Sequence, residues 1–296
     1  MPEGDSLFKV AAMLRCLVDG EVIELRSPLP GMADAVDQAS GMRVAATEAR
    51  GKNLLIWLAP AEGGDATHAI YTHLRMTGSW HLYREDSDWQ KPLHRLRVGL
   101  EVCCVDGERW HAVCFSAPVV EWLSAFAVRQ HRVLSTLGPD ILSDVLDVPG
   151  IVARLRVDGR RALGDAIMDQ RLVAGIGNVY KSELLFIERL DPFAPVADID
   201  DETLARLITT ARTWMQRNLG PGRRRTRWDA GGRRTWVYDK SGEPCGHCGE
   251  PIRMTRQGDM GRSTYYCPRC QGVGEKGGRP PRRRGRMVVR GSGGGT

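Results

Sequence analysis

Four cysteines near the carboxyl end constrain the fold most. Cys245, Cys248, Cys267 and Cys270 read Cys-x2-Cys, eighteen residues, Cys-x2-Cys, the spacing at which two knuckles bring four thiolates to one tetrahedral ion. Four thiolates fill a zinc shell and leave no open position for chemistry, so one structural Zn2+ is expected. His247, inside the first knuckle, is then surplus. A disulfide pair or a redox pair is the alternative, and a reducing cytosol disfavours both. Cys16, Cys103, Cys104 and Cys114 fall in apolar or alternating stretches and read as small buried hydrophobes.

The remaining chain divides by the period of its apolar residues. Leu7, Val10, Ala11, Leu14, Leu17 and Val18 form one helical face behind Pro2, with Asp5 or Ser6 as the expected cap. From 21 to about 123 the pattern alternates, as in Leu96, Val98, Leu100 and Val102, and predicts a β-sandwich or barrel. After Gly138-Pro139-Asp140 the period becomes helical from about 148 to 219, clearest in Leu204, Leu207, Ile208, Ala211 and Met215. Residues 221–240 are Arg-rich and read as an exposed, mobile loop. The expected domains are 1–125, 126–240, 241–273, and a disordered basic tail at 274–296. No apolar run approaches the ~20 residues of a membrane span and no charged-then-apolar leader opens the chain, so a cytoplasmic protein away from membranes is expected. Formal charge is +6, but removing the seven cations between Lys276 and Arg290 takes it to −1 for residues 1–275. A nucleic-acid surface in the body must therefore come from local clustering.

Chemistry enters at the amino terminus. Removal of Met1, normal before a small residue, makes Pro2 a free secondary amine with Glu3 beside it. An α-amino group titrates near pH ~8 and a lysine near ~10.4, so the terminal amine is the readier nucleophile at neutral pH. Attack on a sugar aldehyde carbon gives an iminium that needs no proton to be cationic and draws electrons in an elimination. Read alone, the same residues also suit a plain helix entrance. Further on, Gly175-Ile176-Gly177-Asn178 forms a glycine turn into a helix expected near Val179, where backbone N–H groups and the Asn178 amide suit a phosphate. It lacks the preceding strand of a dinucleotide fingerprint.

Seven motifs then fall in one order between residue 1 and about 273. They are Pro2-Glu3-Gly4; Gly51-Lys52 before an apolar strand; Leu74-x-Met76-x-Gly78; Leu137-Gly138-Pro139-Asp140; the 169–178 turn; Val237-Tyr238 through Gly242-Glu243-Pro244-Cys245; and Arg262-x-x-Tyr265-Tyr266-Cys267-Pro268-x-Cys270. In these the chain resembles the formamidopyrimidine-DNA glycosylase and endonuclease VIII family, and its Met-Pro-Glu-Gly-Asp opening is similar to the endonuclease VIII-like branch of actinobacteria. The resemblance implies an α+β multidomain fold: an N-terminal helix with a two-layer β-sandwich, a helix-two-turn-helix domain and a C-terminal β-hairpin zinc finger, with DNA in the cleft. It implies a monomeric, nucleoid-associated bacterial DNA-repair enzyme, a bifunctional glycosylase and abasic-site lyase acting on double-stranded DNA with oxidised bases or abasic sites. Carried over residue by residue, Pro2 is the nucleophile at C1′, Glu3 the proton donor and shuttle, and Lys52 the proton donor in β,δ-elimination. Asn178 and Arg262 grip phosphates, and Met76 is the wedge that fills the vacated stack.

Two departures bear on substrate. The 8-oxoguanine branch carries an Arg-x-Phe-Gly segment, whereas this chain reads Glu108-Arg109-Trp110-His111-Ala112-Val113. Position 6, often glutamate in the family, is Ser6, which removes an acid from near the nucleophile. Oxidised pyrimidines are therefore expected ahead of 8-oxoguanine or formamidopyrimidines. The rival readings are a catalytically weak damaged-DNA-binding paralogue and a zinc-ribbon protein of transcription or translation, the latter leaving the amino terminus unexplained. Met76 read alone is a core residue at a strand end, and Lys52 read alone is a solvated lysine.

Overall fold

The computed structural model describes residues 2–228 and 232–274; the basic tail expected from 274 onward lies, beyond Gly274, outside the described residues. The first helix, α1 (Gly4–Leu14), buries Leu7, Ala11 and Leu14. Its N-cap is Glu3 rather than Asp5 or Ser6, and both of those sit inside the first turn, where Ser6 Oγ accepts from Glu3 N at 3.4 Å.

Eight antiparallel strands follow: β1 (Glu21–Arg26), β2 (Arg43–Arg50), β3 (Asn53–Ala59), β4 (His68–His73), β5 (Ser79–Arg84), β6 (Leu96–Cys103), β7 (Arg109–Phe115) and β8 (Val119–Ser124), with a short helix α2 (Ala33–Gln38) between β1 and β2. Their order is β5-β7-β6-β1-β2-β3-β4-β8. The β1–β2 register is Glu21 opposite Arg43, and at that seam the sheet folds over into two four-stranded layers. One core takes Val22, Val98, Leu100 and Ala112 from the first layer and Val44, Leu54, Ile56 and Ile70 from the second. Trp80 Nε1 donates to Thr72 Oγ1 across the layers at 3.1 Å. Alternation is clearest in β6, where Leu96, Val98, Leu100 and Val102 are buried between half-buried Arg97, Glu101 and Cys103, whereas β3 is buried along almost its whole length. Of the four cysteines expected in cores, Cys104 and Cys114 are buried, whereas Cys103 is half-buried and Cys16 is exposed in the turn after α1; the apolar stretch around Cys16 presents only every third or fourth residue inward.

The helical part comprises α3 (Ala125–Gln130), α4 (Val148–Arg156), α5 (Leu163–Ala166), α6 (Asn178–Ile187) and α7 (Asp201–Arg217). The face predicted for α7 is wholly buried. At ~1.5–3 kcal/mol per large apolar side chain, that face alone fixes the helix against α4 and α6. Asp200 caps it by accepting from Thr203 N at 2.7 Å. The last unit is the hairpin of β9 (Arg253–Gln257) and β10 (Arg262–Tyr266), followed by α8 (Pro268–Gln271). It rests on α6: Lys181 Nζ donates to Thr264 Oγ1 at 2.7 Å and Tyr265 N donates to Ser182 Oγ at 3.2 Å. Among the described residues no helix is long and apolar enough to cross a membrane.

Candidate active site

The site forms where the start of α1, the turn into α6 and the β2–β3 turn meet. Glu3 is 0% exposed, and its carboxylate accepts from the amides of Gly177, Val179 and Tyr180 at 3.1, 2.8 and 3.3 Å. A carboxylate there is favoured twice, by the orphan N–H groups and by the positive end of the helix dipole. The approach is close enough that a Cβ on Gly177 would lie 2.2 Å from Glu3 Cδ. Gly4 N donates to the Gly175 carbonyl at 2.9 Å, and Gly175 has φ of 106°, a conformation that a side chain would strain. The turn expected to offer its amides to a phosphate thus offers three of them to Glu3, and the Asn178 side chain remains for other partners.

Arg224 closes the site from below. It donates to Asp5 through Nε at 2.8 Å and Nη2 at 2.5 Å, and to Ser6 Oγ at 2.9 Å. It lies 5.0 Å above the Tyr180 ring and 3.9 Å from Glu3 Oε1. Tyr180 Oη donates to the same Asp5 carboxylate at 3.1 Å. Burial works against the Arg224 charge, but Glu3 and Asp5 more than offset it and hold the guanidinium above its ordinary range. Two expectations change here. The 221–240 stretch is not simply an exposed loop, since Arg224, Thr226 and Val237 are all enclosed. Ser6 does not leave the neighbourhood without a second acid, since Asp5 is 2% exposed and paired with Arg224 in the same cluster.

Lys52 belongs to this neighbourhood. Burial pushes its ammonium down to about 8 from the usual 10.5; the Glu3 carboxylate opposes the shift, and the guanidiniums of Arg262 and Arg224 add to it. The Gly51-Lys52 turn is fixed by Asp140, which accepts from Gly51 N at 2.5 Å and Leu142 N at 2.8 Å. Lys52 is therefore no freely solvated lysine. Asn178 Nδ2 donates to Ser263 Oγ at 3.1 Å, which brings it beside Arg262 on the hairpin, and its Oδ1 is buried without a partner. An amide rotated by half a turn would accept from the Ser263 hydroxyl and place its N–H2 group in the buried position that Oδ1 now occupies. Met76 is 69% exposed on the turn after β4, which removes the reading of a core residue. Because Asn53 pairs with His73, Lys52 and Met76 leave the same end of the β3–β4 hairpin. The segment beside the Met76 turn is Ser116-Ala117-Pro118, reached through Thr77 Oγ1 to the Ser116 carbonyl at 2.9 Å; residues 108–113 lie mostly within β7.

The four zinc-spaced cysteines converge. Their sulfurs lie within 4.8 Å of one another, with Cys245 to Cys270 at 3.8 Å and Cys248 to Cys267 at 3.4 Å. A tetrahedron with zinc–sulfur bonds of ~2.3 Å has edges of about 3.8 Å, so the donor set fits one Zn2+ with every position taken. His247 N donates to Cys245 Sγ and Cys270 N to Cys267 Sγ, both at 3.4 Å, as knuckle amides do toward thiolates.

This geometry has known counterparts. Family profiles match residues 1–113 (Formamidopyrimidine-DNA glycosylase N-terminal domain), 137–228 (Formamidopyrimidine-DNA glycosylase H2TH domain) and 242–273 (Zinc finger found in FPG and IleRS). The probable endonuclease 8 2 of Streptomyces coelicolor is 37% identical over 98% of this chain and 99% of its own. The chain belongs to the formamidopyrimidine-DNA glycosylase and endonuclease 8 family. Its enzyme class is that of the family, DNA glycosylase with abasic-site lyase, and its metal is one structural zinc. The DNA-(apurinic or apyrimidinic site) lyase of Mycolicibacterium smegmatis is 34% identical over 92% of this chain and 99% of its own. A formamidopyrimidine-DNA glycosylase from Methylococcus capsulatus stands at 32% over 86% and 92%. A crystal structure of the Lactococcus lactis formamidopyrimidine-DNA glycosylase bound to DNA with an abasic site shares the fold at a TM-score of 0.72 and 20% identity, over 91% of this chain and 99% of that one.

Sequence reasoning missed Asp5, Tyr180 and Arg224 as site residues. Tyr180 was visible two positions past Asn178. No local pattern linked Arg224 to Asp5 across more than two hundred residues.

Proposed function

We propose that the chain excises oxidised bases, pyrimidines ahead of 8-oxoguanine, from double-stranded DNA and then cleaves the strand at the abasic site. Pro2 is the nucleophile. Its nitrogen lone pair forms a bond to C1′ as the glycosidic bond breaks, and the base leaves with the glycosidic electron pair and takes up a proton from water. The N–H proton of the alkylated Pro2 passes to Glu3 and from it to O4′, opening the ring to a C1′ iminium. A base takes the C2′ proton, the C–H electron pair enters the iminium to give an enamine, and the enamine expels the 3′ phosphate; a second elimination of the same kind expels the 5′ phosphate, with Lys52 as the proton donor. Asn178 and Arg262 hold flanking phosphates while the nucleotide is everted, and Met76 occupies the gap.

The observation that carries this reading is the placement of Glu3, fully buried beside the terminal residue, within the field of a lysine shifted to about 8. The preference for pyrimidines is supported by the segment Ser116-Ala117-Pro118 beside the Met76 turn, which is unlike the Arg-x-Phe-Gly segment of the 8-oxoguanine branch. Borohydride trapping with abasic-site DNA tests the mechanism. A covalent adduct in the natural protein and none in Pro2→Gly is the expected result; tight binding with no adduct in either would make the chain a DNA-binding paralogue. A panel of single-lesion duplexes, read for base release, tests the substrate.

A further inference from the structure

The edge of the sandwich that carries Lys52 and Met76 continues past them. Beyond the Met76 turn lies an open cleft of ≈ 550 Å3 lined by Thr77, Arg95, Arg97, Ser116, Ala117 and Pro118. Ser116 N donates to the Arg95 carbonyl at 2.8 Å, and Thr77 ties the Met76 turn to Ser116, so three segments are fixed together. Two backbone irregularities shape the cleft. The β6–β7 register shifts between Leu96 and Val98, leaving Arg97 in a bulge, and Ser116 has φ of 53°. Bulges re-aim side chains, and a non-glycine residue at positive φ persists only where surrounding bonds hold it.

The arginines of this cleft differ from the other arginines within the sandwich strands. Arg26, Arg43, Arg50, Arg84 and Arg109 are each paired with a carboxylate. Among the described residues neither Arg95 nor Arg97 has one, and Arg97 donates to the Leu96 carbonyl at 3.1 Å. Lys91 adds a third cation nearby through its bond to Ser79 Oγ at 2.6 Å. Two unneutralised guanidiniums with a threonine and a serine between them match phosphate oxygens in charge and donor geometry.

We propose that this cleft binds backbone phosphates of the DNA strand opposite the lesion. The inference rests on the reading of Met76 as a wedge. A side chain entering the stack separates the strand held by Lys52, Asn178 and Arg262 from the strand beyond it, and Arg95 and Arg97 lie on that far side.

The test compares duplex and single-stranded DNA carrying the same tetrahydrofuran abasic analogue. In Arg95→Ala/Arg97→Ala, the slope of log affinity against log salt on duplex DNA should shrink by about 1.8, at ~0.9 per lost phosphate contact, and the single-strand slope should stay at the natural value. Arg95→Lys/Arg97→Lys should keep most of the duplex slope, which separates lost charge from lost fold. An unchanged duplex slope in the alanine variant, or an equal loss on single strands, overturns the proposal. Failure of the wedge reading shows separately, as unchanged lesion-duplex affinity in Met76→Ala.

Discussion

Two buried glutamates that meet at α6, one reaching it from outside and one belonging to it, make the instructive contrast. Glu3 reaches the start of α6 from another domain and takes three backbone amides; Glu183, in the middle of α6, takes the amides of Trp236, Val237 and Tyr238 at 2.7, 2.8 and 2.7 Å and the Thr226 hydroxyl. Both are 0% exposed. Around Glu3 stand Arg224 and Lys52, groups that carry or exchange protons and charge. Around Glu183 no ion pair occurs among the described residues, and burial pushes its carboxyl upward against those donors. The same bond set therefore stands beside cations at the proposed reaction site in one place and as a clamp on the approach to the zinc hairpin in the other. Neighbouring cations, not burial, distinguish them.

The contrast can be broken at several points. Chelation of zinc should have the largest effect, since the metal supplies on the order of 10 kcal/mol of the hairpin's folding free energy. Calorimetry should show that unit melting first, with DNA affinity lost alongside; retention of affinity would detach the hairpin from binding. Arg224→Met makes the surroundings of Glu3 resemble those of Glu183 but strands Asp5 as a buried charge, at a cost of ~3–5 kcal/mol in unfolding measurements. The double variant with Asp5→Asn should recover part of that loss. Glu3→Gln should slow single-turnover cleavage per folded molecule by ~10²- to 10⁴-fold besides lowering melting, whereas Glu183→Gln should lower melting and leave the rate per folded molecule intact. Equal loss of activity in both would erase the distinction.

Smaller effects sharpen the site side. Lys52 is an ammonium below pH about 8 and neutral above it, so elimination should decline on the alkaline side of 8, and Lys52→Arg should abolish that alkaline decline at a low overall rate. The same shift has a stability sign. The native state gives up this proton before the unfolded chain does, so the burden of a buried ammonium is present below about 8 and is relieved between there and the ordinary value near 10.5. Met76→Ala should change melting least, because the side chain is 69% exposed. It should weaken lesion-duplex affinity by roughly tenfold or more, the worth of burying one such side chain.

Short-range chemistry was legible from residues alone. The cysteine pairs, the α7 face and the β6 alternation each depend on spacings of two to four residues, which sequence displays directly. Glu3 was legible as an acid beside an amine, but its fixation by Gly177, Val179 and Tyr180 was not, since it joins positions some 175 apart. Arg224 was hidden for another reason. It sits in a run of like charges that reads as solvated, and only the buried Asp5 and the Tyr180 ring distinguish it from Arg223 and Arg225.

Asp140 ties the Gly51-Lys52 turn to the connection leading into the helical half, and Gly4 is bonded to Gly175 close by. These ties place the chemistry on the pivot between the two halves rather than on either jaw. A motion of the two halves that kept these bonds would leave Pro2, Glu3 and Lys52 at their mutual distances. On the proposed reading, the site would then stay assembled while the cleft widened around it.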